Sequence, residues 1–242
     1  MWLNAHYEDR GQFDQDVKRV CETYEQAQGL REEGVNTIST DEKTGIQALE
    51  RAAQDKPMKP GVPERMEYEY IRHGTQALIA SFEVATGKVI KGSVVNERTE
   101  KEFATHIASV ISTNPEAAWI FVADQLNTHK SESLVRLIAS ECAIKEELGR
   151  KGKDGVLMNR KTRGEFLSDE SHRIRFVYTP KHASWLNQIE IWFSILVRRL
   201  LKRASFKSVE EMRERILAFI GYFNTTMAKP FKWTYKGRPL VA

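Results

Sequence analysis

Apolar residues recur at Phe13, Val17, Val20 and Tyr24 in an otherwise polar stretch, and this spacing predicts a helix over residues 12–30. Gly34 ends that pattern. The β-branched run that follows, Val35 to Thr40, predicts a strand that delivers Asp41 at or near its end. Three prolines and Gly61 between residues 55 and 65 mark a loop, and the segments 68–84 and 88–95 flank Ala85, Thr86 and Gly87 as a β-hairpin. Phe103, Ile107, Val110 and Ile111 place a helix over 99–112. Residues 118–123 are continuously apolar, which predicts a central strand covered on both faces and followed by Asp124. Leu134, Leu137 and Ile138 indicate a helix over 131–142, the glycine- and lysine-rich stretch 149–164 reads as an inserted loop, and Ile174 to Tyr178 is a short strand. From Trp185 onward Leu186, Ile189, Phe193, Leu196 and Leu200 describe one long helix. Ser208 caps a last helix with Val209, Met212, Ile216, Phe219 and Ile220 along its apolar stripe. The order predicts a mixed α/β domain, one sheet with helices packed on it.

The chain has 242 residues, 41% hydrophobic and 29% charged, a composition that supports a sizeable core and excludes disorder as the main state. Its longest apolar run, Ala117 to Ala123, is far short of the ~20 residues of a membrane helix. Cys21 and Cys142 form neither a zinc pattern nor a disulfide framework, consistent with a reducing compartment. The net charge of +4 hides an asymmetry. Residues 1–149 hold 17 Lys and Arg against 25 Asp and Glu, a net −8, while residues 150–242 hold 20 against 8, a net +12. A basic C-terminal part suits a polyanionic partner or is simply a solvated face.

Two aspartates at the ends of separate buried strands invite a compensating cation, since a carboxylate beside a core is costly when uncompensated. Asp41 and Asp124 are candidate magnesium ligands, the other reading being two aspartates in surface loops at strand ends. Glu190 is a third candidate, on the first turns of an apolar helix with Asn187 three residues before it; helical periodicity alone makes it an ordinary polar flank. Trp185 and Trp192 read as core.

Three separated motifs then fall in one order: Thr40-Asp41-Glu42-Lys43-Thr44-Gly45, Asp124-Gln125-Leu126-Asn127-Thr128-His129, and Thr179-Pro180-Lys181-His182-Ala183-Ser184-Trp185-Leu186-Asn187-Gln188-Ile189-Glu190. Together they resemble the DDE transposases of bacterial insertion sequences in the Tc/mariner superfamily, from about Thr37 to Leu240. The resemblance includes Arg72-His73-Gly74-Thr75 in the hairpin and the tail Pro230-Phe231-Lys232-Trp233-Thr234-Tyr235. The sequence departs from the common pattern in having Gln125 where asparagine often follows the second aspartate. It also has 65 residues between Asp124 and Glu190, an excess that the basic stretch near 149–170 accounts for.

The resemblance implies a ribonuclease H-like mixed sheet with helices packed on both faces, in which Asp41, Asp124 and Glu190 hold two Mg2+ ions, Mn2+ substituting. The implied activity is DNA strand cleavage and strand transfer by in-line phosphoryl transfer. Rival readings are a non-catalytic DNA-binding or assembly relic and a ribonuclease H-like nuclease. His129 is an auxiliary candidate, contacting the scissile phosphate or orienting a water, or else a structural histidine that caps the next helix; Asn187 is a second auxiliary candidate. Lys181, His182 and the cluster Arg198, Arg199, Lys202 and Arg203 are candidate DNA contacts. The implied organisation is an N-terminal helical linker segment (1–34), the catalytic domain (35–226) with its basic insertion near 149–170, and a C-terminal tail (227–242). The implied partners are DNA, as element ends and TA-containing target, and a second copy in a homodimeric active complex, with no membrane. The implied location is cytoplasmic and nucleoid-associated. Relatives of this kind carry an N-terminal helix-turn-helix region, which the residues before Thr37 are too few to hold, so the chain is expected to be a catalytic half that reads little sequence by itself.

Overall fold

The computed structural model describes residues 10–235, apart from Asp55 and Met66. The outer ends of the predicted N-terminal segment and tail, 1–9 and 236–242, lie outside the described residues. Five strands form one sheet in the order β3-β2-β1-β4-β5, from β1 (Val35–Arg51), β2 (Tyr70–Glu83), β3 (Lys88–Val95), β4 (Ala118–Ala123) and β5 (Ile174–Tyr178). β1 pairs antiparallel with β2 and parallel with β4, which in turn pairs parallel with β5. The helices are α1 (Arg10–Glu32), α2 (Glu100–Ile111), α3 (Glu132–Glu141), α4 (Arg160–Leu167), α5 (Ile189–Leu196) and α6 (Val209–Thr226).

Side chains on a strand alternate between its faces, and β4 uses both. Trp119, Phe121 and Ala123 join the core under α2 and α3, whereas Ile120 and Val122 meet α1. Further along the sheet, Leu78, Ala80 and Phe82 of β2 pack against Trp192 and Phe193 of α5 and Met212, Ile216 and Ile220 of α6. Helices therefore cover both faces, as expected. α1 buries Val17, Val20, Cys21, Tyr24 and Ala27 against the sheet. The segment after α6 also packs inward: Phe231 stacks on Phe82 at 4.7 Å and the Trp233 ring meets Tyr24 edge-on at 5.0 Å. Among the described residues no helix is long and apolar enough to cross a membrane.

Four local expectations are corrected. Asp41 lies inside a 17-residue strand, because β1 outruns its parallel partner and continues to Arg51 as a ribbon with β2; parallel pairing stops at Ser39–Val122. The predicted loop 149–164 gives way at Arg160 to a helix, Arg160–Leu167, capped by Asn159 and tied down by Arg163, which donates to the carbonyls of Lys130 and Leu157. The predicted long helix from Trp185 is interrupted at Asn187, whose backbone is extended. α5 begins at Ile189 and passes into a widened turn over Val197–Leu201. Trp192 is buried, but Trp185 is 46% exposed and rests edge-on against Tyr235.

Candidate active site

Parallel strands place their C-terminal ends at one edge of the sheet, where open α/β folds build their sites. The last parallel pair, Ser39 with Val122, carries Asp41 and Asp124 two residues further along neighbouring strands, so the two aspartates lie side by side. The charge of Asp124 registers on Asp41. Burial and the nearby Asp124 push the Asp41 carboxyl up to about 7, against smaller opposing effects of His129 and the Glu42 N–H.

Asp41 is held at both oxygens. Oδ1 accepts the Glu42 N–H at 2.8 Å and Oδ2 accepts Asn187 Nδ2 at 3.2 Å. The same Asn187 amide donates to the Thr40 carbonyl at 2.9 Å, while its Oδ1 accepts a short bond from Ser39 Oγ. Ser39 Oγ in turn accepts the Ile189 N–H at 2.8 Å, and Tyr24 of α1 donates to the Leu186 carbonyl at 3.1 Å. Because Asn187 spends its side chain on β1, it leaves the helical path, and α5 starts with Glu190 in its first turn. Glu190 is exposed and opens onto a groove of about 560 Å³ with Lys43, Ser194 and Arg198. Partial burial raises its pKa, Lys43 counteracts this, and Asp124 adds to the rise.

Alternation along β1 sends Glu42 to the face opposite Asp41, under α2. There Glu42 Oε2 meets His129 Nε2 at 2.9 Å, and His129 Nδ1 meets Asp124 Oδ1 at 2.7 Å, with no exposure of the His129 or Glu42 side chains. The imidazole packs against Phe103 at 4.2 Å between ring centroids. Burial works against charge on His129, but its bonds to Asp124 and Glu42 win, and its pKa is lifted to about 10. Those bonds likewise hold Asp124 below the usual carboxylate range despite its burial. His129 therefore bridges Glu42 and Asp124 with no exposure of its own side chain.

Among the described residues, the group of ligand atoms within 4.8 Å of one another is that of Asp41, Glu42 and His129, and it includes neither Asp124 nor Glu190. Both ring nitrogens of His129 already face carboxylates, Nε2 on Glu42 and Nδ1 on Asp124. Asp41 and Asp124 with Glu190 opposite are hard oxygen donors of the kind Mg2+ and Mn2+ accept. Burial first and Asp124 after it raise the Asp41 pKa, and burial with a smaller effect of Asp124 raises that of Glu190, so added positive charge here would be favourable. Lys181 and His182 border a second cleft, on the Asp124 side. Arg198, Arg199, Lys202 and Arg203 are exposed along the end of α5 and beyond. Sequence reasoning missed Glu42, Lys43, Ser39 and Tyr24. The available signal was Glu42 itself, since the neighbour of an aspartate that faces one side of a strand must face the other, and a core-facing glutamate requires a partner.

The sequence profile of DDE superfamily endonucleases matches residues 36–213. The chain belongs to that family. Its fold is similar to two solved structures of the Mos1 transposase: the Mos1 mariner paired end complex with Mn (TM-score 0.53, 14% identity, covering 91% of this chain and 58% of that one), and the paired-end complex with left transposon end (TM-score 0.50, 13% identity, 91% and 57%). The chain thus spans less than three fifths of the length of those structures. The expected ribonuclease H-like fold is the one observed. No curated protein matches the chain significantly.

Proposed function

We propose that this chain is the catalytic part of a DNA transposase, cleaving and transferring DNA strands with Mg2+, for which Mn2+ substitutes. The observation that supports the reading is the register that sets Asp41 and Asp124 on neighbouring strands two residues beyond the last parallel pair, with Glu190 near enough for Asp124 to raise its pKa. Family membership and the likeness to transposase paired-end complexes support it. Asp41, Asp124 and Glu190 would hold the ions, which when bound activate the attacking hydroxyl and neutralise the leaving oxygen of an in-line displacement. The protein's own part is positioning. Asp124 Oδ1 takes both the Leu126 N–H at 2.9 Å and His129, which leaves Oδ2 for a ligand. Asn187 orients Asp41 and ties it to the turn before Glu190. Lys43 and Arg198 in the Glu190 groove, Lys181 and His182 in the opposite cleft, and Arg199, Lys202 and Arg203 beyond α5 supply positive charge for the DNA backbone. Two copies would act together, one on each DNA end.

Asp41→Ala, Asp124→Ala and Glu190→Ala should each abolish Mg2+-dependent nicking of duplex DNA while the protein stays folded. Mg2+ should raise the melting temperature of the wild type and not of the triple variant. Near wild-type cleavage by any single variant removes that residue from the site. DNA binding without cleavage in any metal points to a non-catalytic relic, and preferential cutting of RNA–DNA hybrids points to a ribonuclease H-like nuclease.

A further inference from the structure

The segment between β4 and β5 brings a cation to the Asp124 side of the site that no motif marks. Arg160, the first residue of α4, lines a cleft of about 420 Å³ together with Asp124, Gln125, Leu126, Pro180, Lys181, His182 and Ser184. One arm of its guanidinium donates to the Gln125 carbonyl, in the turn directly after Asp124. Five N–H donors on a guanidinium leave others for a ligand. Behind it lies Lys130, with its Nζ 4.0 Å from the Tyr178 ring centroid and 3.3 Å from Gln125 Oε1. α4 closes over the Lys130 stem where Gly164 leaves room: a Cβ there would meet Lys130 Cδ at 3.3 Å.

Among the described residues, neither Arg160 nor Lys130 has a carboxylate within ion-pair distance. They also work against each other. Burial, and after it the charge of Arg160, lowers the Lys130 pKa to about 8, with Asp16 opposing. Three other insertion cations are paired with acids, Arg150 with Asp154 at 2.7 Å, Lys151 with Glu100 at 3.5 Å and Lys161 with Glu165 at 3.9 Å, while Arg163 spends its guanidinium on two carbonyls. Two adjacent, partly buried cations without an acid are costly in the free protein. An anion in the cleft would relieve that cost.

We infer that Arg160 is a phosphate-binding residue of the DNA site, gripping a backbone phosphodiester beside the one held at Asp124, with Lys130 reinforcing its charge. The inference rests on the reading of the site as a DNA strand-transfer centre and gives the basic insertion a role in it. The planar fork of arginine suits two oxygens of one phosphate. The Gln125 carbonyl fixes the guanidinium relative to Asp124, so a phosphate bound there would set the register of the strand against the carboxylates. Lys181 and His182 line the same cleft, His182 with a left-handed backbone (φ 61°) uncommon for a residue other than glycine.

The test is duplex DNA binding in EDTA over a salt series, so that no catalysis enters the readout. Arg160→Gln keeps a donor for the Gln125 carbonyl but removes the charge. It should weaken binding about fivefold at moderate salt and reduce the slope of log K against log salt by about 1. Arg160→Lys should restore most of the slope. Lys161→Gln removes the same charge one residue along, where the side chain is exposed and paired with Glu165, and should leave the slope unchanged. Equal effects of Arg160→Gln and Lys161→Gln, an unchanged slope with Arg160→Gln, or no binding by the wild type at low salt each overturns the inference. Thermal melting verifies that Arg160→Gln is folded. If the variants behave as expected while the wild type cleaves no DNA, the catalytic reading falls and the phosphate site stands. If the wild type cleaves and the slope ignores Arg160, the reverse holds.

Discussion

Replacing His129 by leucine removes the charge that joins Glu42 to Asp124. Both flanking contacts are short, 2.9 and 2.7 Å, and the Glu42 and His129 side chains have no exposure. At an effective dielectric of about 20, each unit-charge contact near 3 Å is worth roughly 5 to 6 kcal/mol, and a large part of that is offset by the desolvation of the imidazolium and its partners. Removing one partner recovers little of the desolvation and leaves Glu42 as an unpaired buried carboxylate, whose Oε1 has no hydrogen-bond partner even now. The expected loss is about 3–5 kcal/mol. Glu42→Met should cost less, because His129 keeps Asp124 and can shed its proton. The double variant, His129→Leu with Glu42→Met, should be more stable than His129→Leu alone, since it replaces the buried pair with apolar groups packed on Phe103. Urea denaturation in EDTA, followed by the fluorescence of buried Trp119 and Trp192, gives the four free energies of the cycle. A single-variant loss below about 1 kcal/mol, or a double variant whose loss equals the sum of the two singles, would refute the account of His129 as a charged brace.

Asn187→Ala should lower DNA cleavage by roughly 10- to 100-fold, the range for a residue that orients a metal ligand, with a modest loss of stability from the bonds to Thr40 and Asp41; single-turnover nicking measures it, and unchanged nicking would show that Asp41 needs no such support. His106, bonded to Ser81 at 2.9 Å and Ser93 at 2.8 Å, is kept neutral because burial, helped by the Lys91 charge, lowers its pKa to about 3. The unfolded chain takes up that proton near pH 6.5, so this contribution is complete above pH 6.5 and is lost as pH falls towards 3, at no more than roughly 1.4 kcal/mol per pH unit. Urea titrations of wild type and His106→Gln between pH 7 and 4 should converge on acidification, and parallel curves would contradict the assignment. Gly87→Ala should destabilise the protein by roughly 2 to 4 kcal/mol, because Gly87 has φ +72° and an added Cβ would approach the Lys229 carbonyl oxygen to 2.0 Å; a thermal melt at or above wild type would contradict it.

What could be read beforehand follows the range of each interaction. The apolar run of β4 and the stripes of α2, α3 and α6 announce themselves, because burial writes its period into contiguous residues. The motif order nominates Asp41, Asp124 and Glu190 as one set only through resemblance. What was hidden depends on contacts distant in sequence. Asp41 was expected at a strand end because nothing local says that β1 continues along β2 for twelve residues beyond its last pair with β4. α4 is too polar, and too short, to show a stripe; it is helical because Arg163 and the Asn159 cap hold it. Asn187 breaks an apolar period that looks continuous on paper, since its partners Ser39, Thr40 and Asp41 lie almost 150 residues earlier. The role of His129 requires knowing that Glu42, 87 residues earlier, is buried beside it.

The Tyr24 hydroxyl bonded to the Leu186 carbonyl has a bearing on where the functional unit ends. The family match runs from 36 to 213, yet the turn that presents Glu190 is propped from outside that span, by Tyr24 on one side and, behind it, by the Trp233 ring against Tyr24. A fragment trimmed to the matched segment would retain every acidic residue of the candidate site. It would keep the ties of Ser39 and Asn187 to that turn but lose the prop that Tyr24 gives it from behind, and so would hold Glu190 less firmly relative to the aspartates.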